Sequence, residues 1–343
     1  MLGWDIGGAH LKVSAVDGGG RVVRVRSFPC MLWLGLEQLD RAIAAALAAM
    51  PRSRLHALTM TGELADVFRD RSEGVKSIIA RFTRQVPAGR VRIYAGPAGF
   101  LAPRRAIKQT AAVASANWAA SAELVASRLR DALFVDIGST TTDIVPIRAG
   151  RLMTRALNDA DRLASEELVY SGVVRTPVMA LARRIAFDGQ RIPAMAEYFA
   201  TTADVYRLTG ELPPDADQLP AADGGGKRVR DSARRLARMI GRDLDHAPLA
   251  KWQRCARALA RVQLAQIHEA CERAHARIGS GSRAPLVGAG TGRFLAKKLA
   301  RRLGMPYRDF HALIDALPGA AAQASNCAPA AAVALLIFER SDR

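Results

Sequence analysis

Two short stretches of this chain share one layout. Leu2-Gly3-Trp4-Asp5-Ile6-Gly7 and Leu133-Phe134-Val135-Asp136-Ile137-Gly138 each run from apolar residues into an aspartate and then a glycine. Each is followed by small residues and a second apolar run, 11–16 in the first copy and 143–147 in the second. An apolar run that stops at a glycine and resumes after a few small residues predicts a β-hairpin, because glycine adopts the turn conformations that other residues resist. One supersecondary unit present twice predicts two related lobes. The expected fold class is α/β: two lobes built on duplicated mixed sheets.

The rest of the chain fits around these hairpins. Residues 21–28 alternate Val with Arg and predict a third strand, and 36–50 have helical spacing ended by Pro51. Strands are expected at 55–60 and 91–95, a helix at 74–85 and an Ala-rich helix at 111–129. Residues 177–279 read as helical and basic, broken by a loop at Pro213-Pro214 and Gly224-Gly225-Gly226. Residues 286–292 form a strand running into a Gly-rich turn, 293–304 a basic amphipathic helix, and 329–339 a helix apolar all round and therefore buried. The expected lobes are 1–130 and 131–343, the second carrying a helical insertion at about 178–280 and the Gly-rich turn at 288–292.

The 343-residue chain is 50% hydrophobic and 24% charged, an ordinary globular balance. Its formal charge of +18 raises the question of nucleic acid. The basic residues are mostly Arg alongside abundant Ala, a skew that follows coding-DNA composition. Aromatics make up only 6% and do not interleave with the arginines as a stacking platform requires. No nucleic-acid partner is expected, and the positive field suits phosphorylated or carboxylated small molecules. No basic leader with an apolar stretch opens the sequence, and the run at 328–338 is shorter than the roughly 18 residues of a membrane span. A cytoplasmic protein without a membrane partner is expected, with homo-oligomerisation left open. Cys30, Cys255, Cys271 and Cys327 show no C-x-x-C pairing and read as buried thiols.

The hairpins carry the chemistry. Asp5 stands at a strand end, Gly7 and Gly8 let backbone N–H groups approach an anion, and Lys12 brings an ammonium. Asp5 suits Mg2+, which binds through one or two carboxylates and keeps most of its water. In the second copy Gly138, Ser139, Thr140, Thr141 and Thr142 offer donors to a phosphate beside Asp136, the second Mg2+ candidate. Unpaired hydroxyls in a packed core would cost free energy. The plainer readings are a hairpin with a surface lysine and a polar turn. Gly288-Ala289-Gly290-Thr291-Gly292 departs from the dinucleotide fingerprint, its third glycine coming too early. A Gly-rich turn opening a helix still offers Gly288, Gly290 and Thr291 as an edge for an anion, a nucleoside or a substrate.

Three Gly-bearing turns in this order resemble the sugar kinase/actin/Hsp70 superfamily. There, two D-x-G hairpins clamp phosphates from opposite lobes and a later G-x-G turn lies against the nucleoside. The run Tyr170-Ser171-Gly172-Val173-Val174-Arg175-Thr176-Pro177, a Y-x-G-x-x-R-T-P pattern, is similar to the hydantoinase A/5-oxoprolinase group. Chain length, Asn117-Trp118 and Ala196-Glu197-Tyr198 resemble compact relatives tied to tetrahydromethanopterin-linked one-carbon metabolism, whose archaeal members are ether synthases of methanofuran biosynthesis. The resemblance implies a transferase with small-molecule partners: an aminomethylfuran-methyl diphosphate alkylates the phenolic amine γ-glutamyltyramine and releases pyrophosphate. Mg2+ is the implied cofactor.

A phenol with a pKa near 10 must lose its proton near neutral pH, a gap of about 3 units or about 4 kcal/mol. Asp143, His10 and Arg175 are the catalytic candidates, and nothing in the sequence orders them. Two alternatives stay open: an ATP-dependent kinase or hydantoinase-like ATPase of the same fold, and a non-catalytic nucleotide-binding scaffold of the one-carbon pathway. His268, Cys271, Glu272 and His275 share a helix face at a spacing that could ligate Zn2+, but sit among charged neighbours and read as a solvated helix. The Arg-rich segment 228–242 reads as a solvated face, with a funnel for an acidic substrate as the sharper reading. No G-x-S-x-G elbow or Ser-His-Asp order is present.

Overall fold

β1 (Leu2–Ile6) is buried at every residue, because it is an inner strand with a neighbour on each edge and cover on both faces. β2 (His10–Val16) pairs with it antiparallel, and β3 (Val22–Pro29) pairs antiparallel with β2. β4 (His56–Met60) lies parallel on the other side of β1, β5 (Val91–Tyr94) lies parallel to β4, and β6 (Phe100–Leu101) closes the edge antiparallel to β5. The computed structural model describes residues 1–154, 156–279 and 283–341.

The second sheet repeats this plan. β7 (Ala132–Ile137) pairs antiparallel with β8 (Thr142–Arg148), which also carries β9 (Arg151–Leu152) and β10 (Leu168–Val169). A small separate hairpin joins β11 (Arg184–Phe187) to β12 (Gln190–Pro193). β13 (Leu286–Ala289) runs parallel to β7, and β14 (Tyr307–Asp309) runs parallel to β13. Each sheet is thus a hairpin extended by parallel strands, the duplicated α/β architecture expected from the two D-I-G runs.

Two helices join the lobes. Asn117–Arg128 packs on β7, β8 and β9, Ala328–Ser341 packs on β1, β2 and β4, and the two pack on each other. The last helix lies so close to β1 that a Cβ on Gly3 would come 2.1 Å from the Ala330 carbonyl oxygen. One apolar cluster including Leu124, Phe134, Val287, Val333 and Leu336 therefore serves both sheets. The apolar character of the last helix is explained by this burial. Among the described residues no single helix is long and apolar enough to cross a membrane.

Some local expectations change. The stretch 111–129 is not one helix: Thr110–Val113 and Asn117–Arg128 are separated at Ser115, which has a left-handed φ of 51°. The Ser115 hydroxyl is drawn to Glu63 at 2.8 Å and Asp159 at 3.0 Å, and these tertiary bonds override the local helical preference. The basic insertion contains the β11–β12 hairpin as well as helices, and its expected end at residue 280 lies outside the described residues. In the Arg-rich segment Arg235 is not solvated. It is 1% exposed and bonds Asp204 from two nitrogens, at 3.0 and 2.7 Å, and Asp223 at 3.0 Å. All four cysteines are free and buried, and Cys271 belongs to the apolar core of the second lobe.

Candidate functional site

Both hairpin turns open onto one cavity of about 360 Å3. The first turn is closed by the Gly7 N–H donating to the His10 carbonyl at 2.9 Å, the second by the Gly138 N–H donating to the Thr141 carbonyl at 2.8 Å. From the first lobe Asp5, Gly7, Gly8, His10 and Lys12 line the cavity. From the second come Asp136, Gly138, Ser139, Thr140, Thr141, Asp143 and Arg175. Thr142 is the exception within this run: its hydroxyl is buried and donates to the Ser171 carbonyl at 2.7 Å. Side chains alternate along β8, so Thr142 points away from the face that Thr141 and Asp143 present to the cavity.

Burial governs the charges. It raises the carboxyl pKa of Asp5, against the lowering effect of Lys12, whose Nζ lies 3.6 Å from Asp5 Oδ2. Burial, with Asp143 adding to it, pushes Asp136 up to about 7. Asp143 is also raised by burial although Arg162 Nη1 donates to its Oδ1 at 2.6 Å. Lys12 loses solvation, which lowers its pKa, but Asp5 and further neighbours more than reverse this and hold it protonated. His10 falls to about 4 through burial, then Lys12 and Arg175, and is a neutral imidazole at pH 7.

A divalent cation fits this donor set. Asp5 Oδ1 is buried without a hydrogen-bond partner, and the raised carboxyls of Asp5, Asp136 and Asp143 signal negative charge held out of water. Among the described residues no cluster of three or more His, Cys, Asp or Glu side chains is arranged for a metal.

The Y-x-G-x-x-R-T-P run braces the second turn. A Cβ on Gly172 would lie 2.5 Å from Ser139 C and Thr140 N, so only glycine admits this approach. Val173 N–H donates to the Gly138 carbonyl at 3.1 Å, and Val174 and Arg175 N–H donate to the Ser139 carbonyl at 3.0 and 2.8 Å. Thr202 Oγ1 and Gln263 Nε2 both donate to the Gly172 carbonyl at 2.8 Å, locking the brace itself.

The hydantoinase/oxoprolinase family profile matches residues 54–336. The chain belongs to the hydantoinase/oxoprolinase family. It is 34% identical over 244 residues to the (4-{4-[2-(gamma-L-glutamylamino)ethyl]phenoxymethyl}furan-2-yl)methanamine synthase of Methanocaldococcus jannaschii, covering 71% of this chain and 72% of that protein. A synthase of the same name from Methanococcus vannielii is 33% identical over 125 residues, 36% of this chain and 56% of that protein. Among solved structures, a nucleotide-free acetone carboxylase superposes with a TM-score of 0.59 at 12% identity, over 96% of this chain and 69% of that chain. This last likeness is one of fold.

In this family member the Gly-rich turn is partly structural. A Cβ on Gly288 would meet the Tyr307 ring at 2.7 Å, and one on Gly290, at φ 80°, would meet the Ile137 carbonyl oxygen at 2.2 Å. Both glycines are packed against neighbours, and neither lines a described cavity. Thr291 does line one: a second cavity of about 370 Å3 lies beyond the hairpins, bounded also by Arg26, Gln218, Gln323 and Asn326. His10, Lys12, Gly138 and Ser139 line both cavities, which therefore meet at the two turns.

Several cavity residues carry no local motif. Arg162, 1% exposed, holds Asp143 and lies 3.9 Å over the Trp118 ring. Asp159 accepts from Arg71 at 2.8 Å and from Ser115, which in turn reaches buried Glu63, linking the lobes. Burial holds the Glu63 carboxyl pKa above its ordinary value. Trp118 belongs to the Asn117-Trp118 pair that carries the family resemblance, whereas the arginine and the acids are brought together by folding alone.

Proposed function

We propose that the protein is a transferase that forms the aryl ether of a methanofuran-type coenzyme. It joins an aminomethylfuran-methyl diphosphate to the phenol of a γ-glutamyltyramine-type acceptor and releases pyrophosphate. One observation carries the reading: two glycine-bearing turns from opposite lobes open on one cavity, in a chain whose synthase relatives are named for a phenoxymethylfuran.

In this reaction the bond between the furan-methyl carbon and the diphosphate oxygen breaks, its electron pair leaving with the diphosphate. The phenol oxygen forms the new C–O bond, and its proton passes to a base. The furan ring stabilises positive charge at the reacting carbon, so the barrier falls as the leaving group is neutralised. Lys12 and the backbone N–H groups around Gly8 and Ser139 supply fixed donors for that task. Asp5 and Asp136 would hold a hydrated Mg2+, whose charge would help to neutralise the leaving diphosphate.

Asp143 is the favoured base. Its oxygen Oδ1 is pinned by Arg162, the side chain lines the cavity, and its raised pKa narrows the gap to a phenol. His10, at about 4, is a weak base and serves as a neutral hydrogen-bonding group beside Lys12. Arg175 is a cation positioned at the same wall.

The second cavity favours one other reading, an ATP-dependent kinase or hydantoinase-like ATPase, since it adjoins both turns and Thr291. Pyrophosphate release measured with the furan diphosphate and the phenol, beside phosphate release from Mg-ATP, separates them. Release that requires both the furan diphosphate and the phenol supports ether formation. ATP hydrolysis without it supports the ATPase and sinks the transferase.

A further inference from the structure

We infer that the mouth of the shared cavity is a ring-binding subsite formed by Trp33, Leu64 and Tyr170, and that it takes the phenol ring of the acceptor; the choice of ligand rests on the ether-forming reading above. These three side chains are 37%, 47% and 59% exposed and line the same cavity. Trp4, Trp118 and Trp252 are each 3% exposed or less, so Trp33 is the indole left at the surface. Single exposed apolar residues need no explanation, but three that are both exposed and part of the wall of one polar cavity mark a place where an apolar ligand surface is covered.

The rim is tied to both anion-binding turns. Trp33 sits in the one-turn helix Leu32–Leu34, whose Leu32 N–H donates to the Gly8 carbonyl at 3.0 Å. Leu64 closes the one-turn helix Gly62–Leu64, and a Cβ on Gly62 would lie 3.0 Å from Leu32 and 3.2 Å from the Gly7 backbone. Both short helices are therefore packed onto the first hairpin. From the other lobe, the Arg175 guanidinium lies 4.8 Å over the Trp33 ring while the Arg175 N–H donates to Ser139. The indole is thus held at a set offset from both turns, and one of its contacts bridges the lobes.

That offset selects the ring. The furan is bonded through one carbon to the diphosphate and must stay beside the turns. The acceptor has no phosphate anchor: its hydroxyl must point inward and its γ-glutamyl tail outward. Its ring then lies at the mouth, where an indole, a phenol and a leucine offer stacking and apolar contact.

Two measurements test this. In the first, γ-glutamyltyramine is titrated against Trp33 fluorescence, with γ-glutamylethylamine, which lacks the ring, as the comparison. A saturable change with the aromatic compound only, lost in Trp33→Phe and weakened about tenfold in Tyr170→Ala, supports the subsite. No change, or an equal change with the compound lacking the ring, overturns it. In the second, Trp33→Ala and Tyr170→Ala raise the KM for the phenol about tenfold and leave that for the furan diphosphate within about twofold. An unchanged phenol KM, or a rise for the diphosphate instead, overturns the inference while ether formation itself stands. If the protein forms no ether, the fluorescence titration still decides the ring subsite.

Discussion

Asp143 occupies in the second hairpin the position that Lys12 occupies in the first. Lys12 is the antiparallel partner of Asp5, and Asp143 is the antiparallel partner of Asp136. The duplicated unit therefore presents an ammonium from one lobe and a carboxylate from the other to the same cavity. In the proposed reaction the diphosphate would meet its counter-charge at Lys12, and the phenol would meet a proton acceptor at Asp143. The two copies share geometry but not chemistry.

Lys12→Met removes the ammonium nearest the first turn while keeping a side chain of similar length. Charge-assisted hydrogen bonds contribute about 1.5–3 kcal/mol, so Mg-pyrophosphate affinity should fall about ten- to a hundredfold. Calorimetric titration reads this directly, and an unchanged affinity would place the anion elsewhere.

Asp136→Asn should stabilise the metal-free protein at high pH. The folded pKa of about 7 lies above the unfolded value, so this group's contribution is fully present below about pH 4 and lost as pH rises through 7. In EDTA the variant should gain up to about 4 kcal/mol over the wild type between pH 4 and pH 8. Urea unfolding at several pH values checks the sign, and parallel curves would contradict the burial of this charge.

Arg162→Leu leaves Asp143 without its ionic partner in a buried setting and removes the cation over Trp118. The expected loss is about 3 kcal/mol in urea unfolding. The double variant Arg162→Leu with Asp143→Leu should recover part of it, because no charge is then stranded. A double variant as unstable as the single one would mean that Arg162 acts through packing alone.

Gly172→Ala puts a methyl group against the backbone of Ser139 and Thr140. Backbone cannot swing aside as a side chain does, so the second turn must shift, at a cost of about 1–3 kcal/mol. Pyrophosphate affinity should fall about tenfold in the folded variant. Retained stability and affinity would show that the turn tolerates displacement.

Much of this was legible in the sequence where the cause is local. A hairpin needs only adjacent apolar runs and a permissive turn, so both D-I-G units could be read without knowing their neighbours. The inward direction of Thr141 and Asp143, and the outward direction of Thr142, follow from strand alternation once the ends of β8 are set, whereas a run of four hydroxyl residues by itself shows no such division. Gly172 was readable as a motif residue, but its function was not, since its reason is the backbone of Ser139 and Thr140. The break at Ser115 was hidden for the same cause: good helix formers surround it, and its partners Glu63 and Asp159 are remote in sequence.

By itself the amino-acid order determined that there would be two hairpins of one design, each with an aspartate at its strand end and a glycine-bearing turn after it. Those features depend on backbone preference and side-chain alternation over a few residues. Only the tertiary structure decided that the hairpins face one another, that Arg162 holds Asp143 rather than another acid, and that Trp33 stands at the shared rim. These are contacts between segments distant in the chain, made when the helices Asn117–Arg128 and Ala328–Ser341 pack together and bring the two sheets into register.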